Sequence, residues 1–218
     1  AWLAVLLLIF RDTILSFLAS IQISTQQIIK EGDEVDIPAF GATGLVKNID
    51  LQTISIQNYD NTLTTIPTAK IVEVGFKNFR TMFESGTRRI KTALPIDTDT
   101  IRFVDMNFQE NLLAIEFIKE KLVDSDLDPT EPVTNLEYFI EYAYQYLRKR
   151  KEVRQRRFPF LIRLLAPTSG GTPLEFYIFV KANSFVSFEA IKTEIFIHML
   201  AVMPHFGLKT FQEEYREG

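Results

Sequence analysis

GDEVDIPAFGATGLVKNIDLQTISIQNYDNTLTTIPTAKIVEVGFKNFR, Gly32 to Arg80, sets short apolar runs between turn-forming residues. Gly32-Asp33, Gly41, Gly44, Asn48, Asp50, Asp60-Asn61 and Pro67 supply the turns, because each residue type meets a backbone geometry that others resist. Between them Val35/Ile37, Ile54/Ile56 and Leu63/Ile66 come close to alternation, the pattern of a strand buried on one face. Tyr59-Asp60-Asn61-Thr62 reads as a hairpin turn, since Asp and Asn tolerate a left-handed backbone. The stretch predicts a small β-module and names no activity.

Composition narrows the classes of function. A chain of 218 residues can form one large domain or two small ones. Its net charge of −4 argues against a general nucleic-acid binder. The chain contains no cysteine, which removes disulfides, thiolate nucleophiles and thiolate zinc ligands. His198 and His205 are the only histidines. Glu194 precedes His198 by one helical turn, but helices make such pairs routinely, and no metal or cofactor is expected. No Gly-x-Ser-x-Gly elbow, phosphate-binding loop or dinucleotide fingerprint occurs. Ser169 in a turn lacks a positioned base. No catalytic residue is expected, and an enzyme is not.

Upstream, Ala1 to Phe10 is wholly apolar, Arg11-Asp12 interrupts it, and apolar character resumes from Thr13. A span needs roughly 20 apolar residues, and a central charge costs about 2.5–3.5 kcal/mol. A signal peptide, a buried core helix, or the end of a span that leaves the bilayer at Arg11-Asp12 are the three readings. The third accounts for a sequence that starts directly in apolar residues, and it implies earlier membrane helices. Thr13, Ser16, Ser20, Ser24 and Gln27 then form a polar stripe opposite Ile14, Leu18, Ile21 and Ile28, an amphipathic helix.

Downstream, Arg88 to Ile96 predicts a strand, with a capped turn at Asp97 to Thr100, and Asn107 to Val123 predicts one helix. Asp124 to Pro132 has DxDxD spacing, but Pro129 stands where a calcium loop needs Gly, so a solvated loop is expected. Thr134 to Arg150 predicts a helix whose Tyr138, Tyr142 and Tyr146 are packing residues. Arg148 to Arg157 holds seven basic residues and one Glu. It suits a patch that binds phosphates, nucleic acid or anionic lipid, or a helix C-terminus whose charges offset the dipole, the reading the net negative charge favours. Phe158 to Ala166 and Leu174 to Ala182 predict two strands, Ser187 to Met203 a helix opened by Ser187, and Gly207 to Phe211 a last strand. The order predicts an α+β chain, a β-domain followed by an α/β domain.

GDEVDI, the Gly41/Gly44 turn, NYDNTLTTIPTAKI and the closing FKNFR together resemble the β-domain of the small-conductance mechanosensitive channel (MscS) family. FESGTRRIKTALPID is similar to its YbdG-like branch, and PLEFYIFVKA with GLKTF resembles its final strand–helix–strand unit. The resemblance implies a pore-helix end and interfacial helix at 1–30, an Sm-like β-barrel at 31–80 and a cytoplasmic α/β domain at 81–218. It implies a homo-oligomer, a heptamer in the family, in a bacterial inner membrane, contacting lipids and permeating ions but no nucleic acid. Tension would open it on hypo-osmotic shock, and a cytoplasmic vestibule would act as an ion filter. By the same resemblance the kink falls at Asp12, beside Arg11. The family's constriction positions fall at Ala4 and Leu8, with Phe10 a rival, and Ser16, Ala19 and Ser20 permit close helix packing. The chain departs from the pattern in lacking glycine at the kink. The remaining alternative is a soluble oligomeric β plus α/β module without conduction.

Overall fold

A computed structural model describes residues 2–123, 125, 127 and 131–212, which divide into two units between Ser85 and Gly86. Two helices, α1 (Trp2–Ile9) and α2 (Arg11–Gln26), open the first unit. The sheet follows: β1 (Glu34–Ile37), β2 (Ala42–Ile49), β3 (Thr53–Asn58), β4 (Leu63–Pro67) and β5 (Lys77–Asn78). It is antiparallel throughout, in the order β4-β3-β2-β1-β5. Two short helices complete the unit, α3 (Thr68–Ile71) after β4 and α4 (Arg80–Ser85) after β5.

The alternation places Val35, Ile37, Ile54, Ile56 and Ile66 in one core with Ala42, Val46 and Ile71, whereas Leu63 is exposed. Tyr59 to Thr62 form the β3–β4 turn: Asn58 N donates to Thr62 O at 2.8 Å, Asn61 takes φ 69°, and Asp60 accepts from Thr62 N at 3.0 Å. The first unit is therefore a hairpin-built sheet closed at its far edge by β5 on β1.

The second unit is built on two ten-residue strands, β6 (Thr87–Ile96) and β9 (Thr172–Lys181), paired from Thr87–Lys181 to Ile96–Thr172. β7 (Val153–Arg154) and β8 (Leu161–Leu164) pair with the other edge of β9. Helices α5 (Met106–Leu113), α6 (Glu116–Leu122), α7 (Asn135–Arg148) and α8 (Phe185–Val202) contribute to its core with one sheet face. Phe139, Tyr142, Phe176 and Phe206 are fully buried there, each large apolar side chain contributing about 1.5–3 kcal/mol. The segment at 207–211 joins the end of β6 through an Ile96–Thr210 bridge.

Several local expectations need correction. The helix expected over 107–123 is two helices, because Ile115 adopts an extended backbone (φ −85°, ψ 107°) between α5 and α6. That break lets Leu112 and Ile118 both reach the core. α8 begins earlier than expected: Ser184 is its cap and Ser187 the reciprocal partner of a capping box. The expected strand from Phe158 is regular only from Leu161, and the basic run contains a strand, β7, that periodicity gave no sign of. The calcium reading at Asp124, Asp126, Asp128 and Pro129 lies outside the described residues.

Candidate pore segment and the clamp beneath it

The apolar run at the N-terminus and the following helix meet at Phe10, whose φ of −96° and ψ of 6° depart from helical values. The hydrogen-bond ladder nevertheless crosses the junction, Phe10 N to Leu6 O at 3.0 Å and Ile14 N to Phe10 O at 2.9 Å. Arg11 and Asp12 are exposed and open α2, with Asp12 in the first turn where a carboxylate complements the helix dipole. Leu8 (78% exposed) and Phe10 (51%) have solvent-facing side chains. Ala4 lies in α1, and its side chain is outside the described residues. Among the described residues no helix is long and apolar enough to cross a membrane.

On α2 the buried positions are Ser16, Ala19 and Ile23, with Ser20 half-buried. The helix packs on α3, and Ile23 enters the β-domain core. The apolar stripe Ile14, Leu18 and Ile21 is exposed in this chain. A groove of about 820 Å³ runs between α2 and the β2–β3 turn, lined in part by Phe17, Ile21, Ile49 and Leu51.

The end of α2 is held by a group that sequence reasoning missed. Gln27 takes a left-handed backbone (φ 52°), and the chain then turns toward Asp33, which is buried at the start of the β-domain. Asp33 accepts from Lys30 N at 2.9 Å, Asn78 Nδ2 at 2.8 Å and Arg80 Nε at 2.8 Å, and forms a second contact with the Arg80 guanidinium. Arg80 also donates to Gln27 O at 3.2 Å and Asn78 to Ile28 O at 3.2 Å. Burial alone would raise the Asp33 carboxyl, but the bonds from Arg80, Asn78 and Lys30 outweigh it and hold it below 3.8. The clamp ties the exit of α2 to the last strand of the β-domain. Its sequence signal was the placement of Asp33 and Arg80 at opposite ends of one stretch, a separation that periodicity does not weigh.

With this geometry in place, family comparison decides the segment. Residues 12–81 match the mechanosensitive ion channel β-domain. The match takes in α2 from Asp12 on, the clamp and all five strands of this β-domain. Over nearly the whole chain the fold is similar to that of Arabidopsis thaliana MSL1, seen by cryo-EM, with a TM-score of 0.67 at 12% identity. That alignment covers 96% of this chain and 62% of MSL1. It is also similar to Helicobacter pylori MscS in a closed-state crystal structure, with a TM-score of 0.63 at 13% identity, covering 99% of this chain and 68% of that one. At such identities the likeness establishes the α+β fold beyond the β-domain. This chain spans less than two thirds of MSL1.

In the second unit, His198 lies between two tyrosines. Its ring stacks on Tyr146 at 3.9 Å and 8°, and Nε2 is 2.8 Å from Tyr142 Oη. The tyrosine stripe is thus a packing surface, as its spacing predicted. Glu194 faces Arg150 in a two-point ion pair (2.9 and 3.1 Å), and Arg150 also donates to Tyr146 Oη at 2.9 Å. Burial, then Lys121 and Arg150, push the His198 imidazole below 6.5 against the pull of Glu194. Burial pushes the Tyr142 hydroxyl up to about 12. Glu194 is committed to an arginine rather than a metal, and no group of metal-ligating side chains occurs among the described residues.

Proposed function

We propose that this chain is a subunit of a mechanosensitive ion channel, opened by membrane tension to release ions and osmolytes on hypo-osmotic shock. The observation that carries this reading is a channel-family β-domain joined directly to an apolar helix that bends at Phe10. FESGTRRIK supports placing it in the YbdG-like branch of the MscS family. The assembly is a homo-oligomer, a heptamer by analogy, in the bacterial inner membrane. The α/β unit lies on the cytoplasmic side, where it forms a vestibule that filters ions. Around the axis, Leu8 supplies an apolar ring that blocks ions by dewetting. Phe10 is the rival for this role, and Ala4 is small for it. Arg11 and Asp12 mark where the helix leaves the bilayer, and Ser16, Ala19 and Ser20 pack the interfacial helix. Tension acts because the open state occupies more membrane area, and only such a difference between states can shift the equilibrium.

The test is patch-clamp of the full-length parent protein in a channel-free membrane under graded suction, with wild type beside Leu8→Ser. Suction-gated steps are expected, with a threshold moved by the substitution. Steps with an unmoved threshold transfer the gate to Phe10 or upstream. Silence from well-expressed, assembled protein sinks the channel reading and leaves a soluble oligomeric module.

A further inference from the structure

The basic run at 148–157 does not stay together in the fold. Arg150 turns inward to Glu194, whereas Arg154 enters β7 and pairs with Phe179 of β9. Across β9, Phe179 also pairs with Arg89 of β6. Residues directly opposite on neighbouring strands share a sheet face, so Arg89, Phe179 and Arg154 form one row. The next row is Lys91, Tyr177 and Leu161, and Lys181 stands at the end of β9 on the same face. Val153, Ile90, Ile178 and Val180 point the other way, into the core.

This outer face is cationic with little to neutralise it. Arg89, Lys91 and Lys181 are exposed and Arg154 half-buried. Among the described residues none of the four is ion-paired to a carboxylate. Glu175, on the same face, is engaged by Arg163 at 2.7 Å, and Glu152 at the strand edge approaches Arg150 at 3.7 Å. The aromatic rings between the cations are half-buried and each has a neighbour on it. The Arg89 guanidinium lies over Tyr177, 5.4 Å from its centroid, and Phe158 packs against Phe179 at 4.9 Å.

We propose that this face binds a soluble multivalent phosphate. Strand spacing puts the backbones of Arg89 and Arg154 roughly 10 Å apart, a separation that long side chains can close around a chain of phosphates. Guanidinium groups match phosphate oxygens in pairs. Exposed single ion pairs contribute only about 0.2–1 kcal/mol, so a monovalent anion is not retained and several charges must act together. The rings of Tyr177 and Phe179 are half-buried and already engaged by Arg89 and Phe158, so charge rather than stacking or apolar insertion is what this face chiefly offers. A soluble polyanion is the occupant that remains.

Titration calorimetry of the full chain with inorganic tripolyphosphate tests this, independently of conduction. Saturable binding is expected, weakening with added salt and falling about tenfold in Arg89→Gln/Arg154→Gln, since paired guanidinium–phosphate contacts are lost. Lys91→Gln/Lys181→Gln provides a second variant of the same face, and Lys47→Gln/Lys119→Gln a charge-matched pair elsewhere. Retention of binding in both face variants, or equal loss in the control pair, overturns the proposal. So does the absence of heat with wild-type protein, or capture by phosphatidylglycerol vesicles without tripolyphosphate binding.

Discussion

Gly44 sits where β2 crosses β3, and a Cβ built there would lie 2.0 Å from Gln57 O and 2.8 Å from Asn58 Cα. Neither neighbour is a flexible side chain, so the strands themselves must separate. Gly44→Ala is expected to lower stability by about 1–3 kcal/mol, the usual range for overpacking, read as a reduced denaturation midpoint of the first unit. Sequence inspection marked this glycine as turn punctuation. The structure instead has it inside β2, paired with Val35 and Asn58, so its importance comes from close approach rather than a turn. Gly41 is the turn residue of the pair, with φ 59°. Both are glycines for different reasons, and composition cannot separate the two.

Among the elements, α2 depends on contacts distant in sequence. Its C-terminal exit is fixed by Asp33, whose acceptors satisfy Lys30 N, Asn78 and Arg80 together. Asp33→Ala leaves those donors without their acceptor and is expected to cost about 2 kcal/mol. Faster hydrogen exchange at Lys30 and Asn78 is the accompanying sign, and unchanged exchange there refutes the clamp. The strands of the β-domain were legible because alternation and turn chemistry agree over Gly32 to Arg80. The clamp was not, since it joins residues 47 positions apart. For the same reason β7 was illegible: it is two residues long and forms only because β9 offers an unpaired edge. The α5–α6 break shows a third limit, an apolar periodicity that survives a non-helical Ile115.

At the scale of the whole chain, the two units respond to acid in different windows. The unfolded chain protonates a histidine near 6.5, but native His198 resists because burial, Lys121 and Arg150 oppose its charge. The contribution of His198 is therefore fully present above that pH and weakens as pH falls from 6.5 toward the lower native value. Asp33 has the carboxylate behaviour: its contribution is present above 3.8 and is lost as pH falls through its depressed native value. Acidification is expected to destabilise the second unit first, with the first unit following only in stronger acid. Unit-resolved hydrogen exchange against pH measures this, and His198→Phe should remove the earlier dependence. The order of the fold was visible in the sequence, but this ordering in pH was not, because it arises from side chains that packing brings around one imidazole. One further property follows from the connectivity of the second sheet. β6, β7 and β8 each pair with β9 and none pairs with another. Such a hub has no redundancy in its strand pairing: displacing β9 removes the ladder partner of all three outer strands at once.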